Sequence, residues 1–178
     1  MRHCLRAYTL GPLSGLLLFI SLPGMANAEQ ETVGWLEHAT ITQAAFAIEA
    51  KIDTGADNSS INARDAEVYT RGGKPWVRFF VQNKLGHSVL IDQPIVKTTR
   101  IKMKDGNLQQ RSVIELDICL GSLQKRTQVN LIDRSHFKHQ LLIGRSFLSP
   151  DYLVDTSQTH RVNSQCQPSA VMRKTSLM

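Results

Sequence analysis

The sequence predicts an all-β fold, a barrel or sandwich of short strands. Three observations carry that prediction. Runs of β-forming residues recur at short intervals, each bounded by a turn signal. Several runs alternate apolar and polar side chains, the period of a strand with one buried face. Helical patterning is confined to two short stretches.

The elements follow in order. Val33 to Thr40 and Ala44 to Ile52 read as strands joined by a turn at Thr42-Gln43. Residues 61–68 have moderate helix propensity and predict a turn or two of helix. Trp76 to Gln82 is rich in β-formers and ends at the turn signal Asn83-Lys84-Leu85-Gly86. His87 to Asp92 and Val96 to Lys104 come next, then Asp105-Gly106, a hairpin turn. Ser112 to Leu120 sets Ile114, Leu116, Ile118 and Leu120 on one face against Val113, Glu115, Asp117 and Cys119 on the other. Gly121-Ser122 turns the chain, and Thr127 to Ile132 returns. Leu141 to Ile143 is wholly apolar, the pattern of a strand buried on both faces. Ser146-Phe147-Leu148 opens a short helix after Gly144, stopped by Pro150.

Residues 1–28 read as a signal peptide. Arg2 and Arg6 make a basic start, and Leu10 to Leu22 is apolar but too short and too broken by Gly11, Pro12 and Gly15 for a stable membrane span. Ala26-Asn27-Ala28 is a small-x-small cleavage site. A cut after Ala28 leaves one domain over residues 29–155 and a polar tail, 156–178, expected to be flexible. The expected destination is the periplasm or the medium, with no stable membrane span after cleavage. The formal net charge is +6, but the basic residues are scattered and aromatics make up only 6%. That pattern fits solvated strand faces, and no nucleic-acid partner is expected. An oxidising compartment permits a disulfide between Cys119 and Cys166. Cys119 itself reads as a small buried hydrophobe and Cys166 as part of the polar tail. Trp35 and Trp76 read as core or interface aromatics.

The chemistry is concentrated in Lys51-Ile52-Asp53-Thr54-Gly55-Ala56-Asp57. A carboxylate at the end of an apolar strand is costly unless it is paired, hydrogen-bonded or used. Hydrolysis of a peptide bond without a metal or a nucleophilic side chain needs two carboxylates sharing one proton. The chain has a single Asp-Thr-Gly, so the second aspartate must come from a second copy, which predicts a symmetric homodimer. Asp53 is then the acid/base. The Thr54 hydroxyl would bond across the pair, and Gly55 would let backbone and substrate approach. Ser59 or Ser60 would bond the outer oxygen of Asp53.

Taken with Asn58-Ser59-Ser60 and the later Leu142-Ile143-Gly144-Arg145-Ser146-Phe147-Leu148, this stretch resembles the retropepsin-like aspartic peptidases. Within them it is most similar to a bacterial group labelled "ATP-dependent zinc protease". Leu120-Gly121 and Leu131-Ile132-Asp133-Arg134-Ser135 add to the likeness, which covers roughly Trp35 to Asp155. The resemblance implies a closed barrel protomer, a homodimer and Asp53 as catalytic aspartate acting on a peptide or protein substrate. It also implies that Arg145, after Gly144, pairs with Asp57 as a buried brace, with Gly55 and Asp57 facing substrate. By chain order a flap falls within Lys84 to Gln109. Asp133-Arg134-Ser135 reads as a tight turn without a catalytic role.

The zinc and ATP of that label find no support in sequence spacing. There is no His-Glu-x-x-His, and His136-x-x-His139 reads as an exposed polar turn. No Gly-x-x-x-x-Gly-Lys-Ser/Thr is present. No cofactor and no metal are therefore expected. The rival reading is a peptide-binding module that keeps the fold without turning over, taking an extended peptide by strand addition.

Overall fold

The computed structural model describes residues 29–102 and 106–166. The expected signal peptide lies outside the described residues. Among the described residues the protein is all-β apart from one helical turn.

A ring of six strands forms the body. Strand β1 (Glu31–Ile41) pairs antiparallel with β2 (Phe46–Ile52), joined by a turn in which Ala45 has φ 58. Strand β3 (Ser59–Asn62) leads to a separate antiparallel sheet of β4 (Arg64–Arg71), β5 (Lys74–Gln82) and β6 (Ser88–Pro94). The chain returns through β7 (Lys97–Lys102), β8 (Leu108–Leu120) and β9 (Leu123–Ile132). Then come β10 (Leu141–Ile143), helix α1 (Arg145–Leu148) and β11 (Tyr152–Thr159). The large sheet runs β11-β1-β2-β10-β3-β9-β8-β7, and a further pairing of β1 with β8 closes it into a barrel. Closure is local: Ala39 to Ile41 lie against Ile118 to Leu120.

The core follows from strand alternation. Ile114, Leu116, Ile118 and Leu120 are fully buried, as their shared face predicts. Ile41, Ile61, Leu141, Ile143 and Phe147 meet them with no exposed surface. The expected strands are all present, with bounds shifted by a few residues. The stretch predicted as a turn or two of helix over 61–68 is instead β3 and β4. All four residues of β3 are buried between β9 and β10, and burial there overrides a weak helical propensity. The stretch expected to hold a flap contains β6, β7 and the start of β8.

The polar stretch after residue 155 is also not a free tail up to residue 166. Residues through Thr159 complete β11, parallel to β1. Beyond it, the N–H groups of Arg161 and Val162 donate to the buried Glu37 carboxylate at 3.0 and 3.2 Å, joined there by the N–H of Gly34. Ser164 bonds the carbonyls of His38 and Cys119. Cys166 is disulfide-bonded to Cys119, with Cα atoms 5.9 Å apart. Cys119 is thus buried, as expected, but is also a covalent anchor. A polar composition suggested disorder, yet its donors go to a buried carboxylate and to strand carbonyls. Residues 167–178 lie outside the described residues. Among the described residues no helix is long and apolar enough to cross a membrane.

Candidate active site

Strand β10 brings the two motifs together. It lies parallel to β2, with Leu142 opposite Lys51 and Ile143 opposite Ile52, and antiparallel to β3. The chain therefore leaves β2 at Asp53 and β10 at Gly144 side by side. The N–H of Asp53 donates to Ile143 O at 2.9 Å. The N–H groups of Arg145 and Ser146 donate to Ala56 O and Asp57 O, each at 2.9 Å. Gly144 has to be glycine here. A β-carbon would stand 2.7 Å from Asn58 C and 3.0 Å from Ala56 O, both backbone atoms that cannot step aside.

Asp53 keeps a partly exposed carboxylate, with 26% of the side chain accessible. Its Oδ1 accepts the Gly55 N–H at 3.0 Å, and its Oδ2 lies 3.4 Å from Lys51 Nζ. A side chain at residue 55 would crowd that same Oδ1, at 3.2 Å. Thr54, Gly55, Asp57 and Arg145 are all exposed, so the loop presents its motif outward.

Three expectations about the supporting residues change. Neither Ser59 nor Ser60 bonds Asp53. Ser59 Oγ accepts from the Gly144 N–H at 3.2 Å, and Ser60 Oγ accepts from Arg134 Nη1 at 3.0 Å. Both hydroxyls are taken by the later segments that β3 packs against. Arg145 does pair with Asp57, and its Nη1 donates to Thr54 O at 2.8 Å. The pair is not buried in the protomer, however: 50% of the Arg145 side chain and 76% of Asp57 are accessible.

The buried arginine is Arg134. Its N–H donates to Asn62 Oδ1 and its Nε to His139 O at 3.0 Å, and its guanidinium lies 4.5 Å from the Phe137 ring centre. Burial pulls its pKa below the usual arginine value, and Arg111 adds to that, while Asp53 opposes it. Asp133 makes the tight turn expected of it, accepting the Ser135 N–H at 2.9 Å, but the next residue turns inward. His139 is likewise buried rather than exposed, its Nδ1 2.8 Å from Glu49 Oε1, whereas His136 is exposed as expected.

Together these residues make a cleft of about 440 Å³ beside Asp53, lined by Trp35, Lys51, Arg134, Phe137, Lys138, His139 and Leu142. Sequence reasoning missed most of it. Trp35 edges onto His139 with ring centres 6.3 Å apart, a wall of the cleft rather than core.

A family model described as the RimB-like, retropepsin-like aspartic endopeptidase RimB matches residues 32–164. The chain belongs to this RimB-like family. Its retropepsin-like fold is the closed β barrel seen here. Similar curated proteins are each named "Probable alpha-L-glutamate ligase". That of Shewanella halifaxensis is 31% identical over 122 residues, 67% of this chain and 27% of that protein. That of Shewanella pealeana is 33% identical over 116 residues, 64% of this chain and 25% of that protein. The chain thus spans about a quarter of the length of the curated relatives it matches. Among solved structures, a Legionella pneumophila protein of unknown function, Lpg0085, superposes with a TM-score of 0.65 at 29% identity. The match covers 75% of this RimB-like chain and 98% of that one.

Proposed function

We propose that this chain is an exported aspartic endopeptidase whose active site is completed by a second copy of itself. The observation that supports this most is Asp53. It is a partly exposed carboxylate oriented by the Gly55 N–H on an outward-facing loop, and the described residues lining its cleft include no second carboxylate. A two-fold dimer would supply one. One Asp53 carboxylate would take a proton from water while its protonated twin donates to the scissile carbonyl oxygen. The resulting gem-diol would then collapse, the C–N bond breaking as the amine takes up a proton. Thr54 would tie the two loops together, and Gly55 and Asp57 would face the peptide backbone. The exposed Arg145–Asp57 pair would be covered in the dimer. The Cys119–Cys166 disulfide fits an oxidising compartment, in line with export after cleavage at Ala28.

The cleft also argues for a substrate class. Lys51, Arg134 and Lys138 line it beside Asp53, a cationic wall that favours a peptide with acidic side chains. The relatives' names refer to L-glutamate, which makes a glutamate-bearing peptide the first to try.

Asp53→Asn tests the reading. Purified wild type is expected to cleave glutamate-containing peptides, with the variant at background and wild type sedimenting as a dimer with substrate bound. Unchanged hydrolysis in Asp53→Asn would sink the catalytic assignment. Peptide binding by both proteins without cleavage by either would favour the binding-module reading.

A further inference from the structure

A second chemical cluster lies on the β1–β2 face, around Glu49. His38 stands directly opposite Glu49 in the antiparallel register. His160 follows the end of β11 with φ 50, its N–H donating to Leu36 O at 2.7 Å. The two imidazoles stack at 4.5 Å between centres, inclined by 23°. Ligand atoms of His38, Glu49 and His160 all lie within 4.8 Å of one another.

The carboxylate is divided in its contacts. Oε1 accepts from Lys84 Nζ at 2.6 Å and lies 2.8 Å from His139 Nδ1. Burial alone would raise the Glu49 pKa, but the hydrogen bonds from Lys84 and His139 outweigh it and hold the group ionised. Among the described residues, the charged partner of Oε2 is the Nε2 of His160, at 3.8 Å. That is too long for a hydrogen bond. An anionic oxygen thus stands beside the His160 imidazole without bonding it, and the His38 ring is within reach of the same carboxylate.

The geometry points to a binding site for a divalent cation of the zinc class, held by His38, Glu49 Oε2 and His160. Two imidazoles and one carboxylate are a donor set that zinc, nickel and copper accept. Tetrahedral zinc with bonds of about 2.1 Å holds its ligand atoms about 3.4 Å apart, so the three groups need close by up to about 1.4 Å. Both histidines are exposed enough for their rings to turn that far. Water would fill the remaining position. His139 and Lys84, gripping Oε1, would fix the carboxylate's orientation as outer partners do around protein metals. The ion would fasten the start of the 160–166 segment to β1 and β2, while the Cys166 disulfide fastens its end. The site shares His139 with the wall of the Asp53 cleft, but none of its ligands takes part in the proposed hydrolysis.

The test uses tag-free protein with the disulfide intact, titrated with Zn²⁺ by calorimetry and with Co²⁺ by visible absorption. Wild type is expected to bind one equivalent, to melt at a higher temperature with zinc, and to give the intense cobalt bands of a low-coordinate site. His38→Gln and His160→Gln should each weaken binding at least ten-fold and bleach those bands, and the double variant should lose both. His136→Gln should match wild type. Circular dichroism in chelator would verify that the variants fold. Wild-type affinity and an unchanged cobalt spectrum in the double variant would overturn the assignment. So would a wild type that holds no zinc at micromolar concentration.

Discussion

Arg134 is the residue whose burial is least visible in the sequence and clearest in the fold. A buried guanidinium usually faces a carboxylate. Here its hydrogen bonds go to a carbonyl, His139 O, and a hydroxyl, Ser60 Oγ, with Asp53 acting on it through space. A charge so held can meet an anion brought in by substrate. Arg134→Gln is therefore expected to raise KM for a glutamate-bearing peptide about ten-fold or more, the worth of one charged hydrogen bond. The KM for a neutral peptide should move little. Equal losses on both peptides, measured by steady-state kinetics, would reduce Arg134 to a structural prop. The placing of Asp53 and Gly55 on one exposed loop was legible because Asp-Thr-Gly follows an apolar strand. Arg134 sat in a recognisable string, but nothing in Asp133-Arg134-Ser135 says which side chain points inward. That depends on β3 offering Ser60 from 74 residues away.

At the level of elements, the site is a crossing of two chain segments, and β10 holds the crossing shut. Its three residues bond β2 on one side and β3 on the other. Gly144 follows at the tightest point. Gly144→Ala is expected to cost about 1–3 kcal/mol, since a methyl group there meets backbone on the neighbouring loop. Urea denaturation would measure it, and a change within a few tenths of a kcal/mol would mean that the loops part easily. Strands β2 and β10 could be read from sequence because each is an apolar run ending at a loop motif. Strand β3 could not. Ser59-Ser60-Ile61-Asn62 has little strand character of its own, and its conformation comes from filling a gap between β9 and β10. The Arg145–Asp57 pairing was legible from the family pattern, its exposure was not, and exposed pairs contribute little to a protomer's stability.

Across the whole molecule, the segment 160–166 after β11 acts as a strap. Its amides satisfy Glu37, and its disulfide closes a sequence separation of 47 residues. A loop of that length is worth about 4 kcal/mol in the chain-entropy account. Reduction, or Cys166→Ser, should therefore lower the melting temperature by many degrees, and thiol titration of the native chain should find neither cysteine free. A melting point indifferent to reductant would show that the strap holds by its hydrogen bonds alone. Composition could not reveal this, because a polar segment that docks through backbone donors has the same residues as one that stays in water.

The ring closure between β1 and β8 has a further consequence, for solubility. Closing a sheet pairs the backbone at the seam, so among the described residues the large sheet ends at β7 and β11. An open, flat strand edge invites pairing with other chains. The β7 edge carries Lys97, Arg100 and Lys102, all exposed, and β11 carries Asp155 with a polar run after it. The scattered basic residues on β7 thus act as guards on one of the large sheet's two end strands, where chains of this protein could zip into fibres.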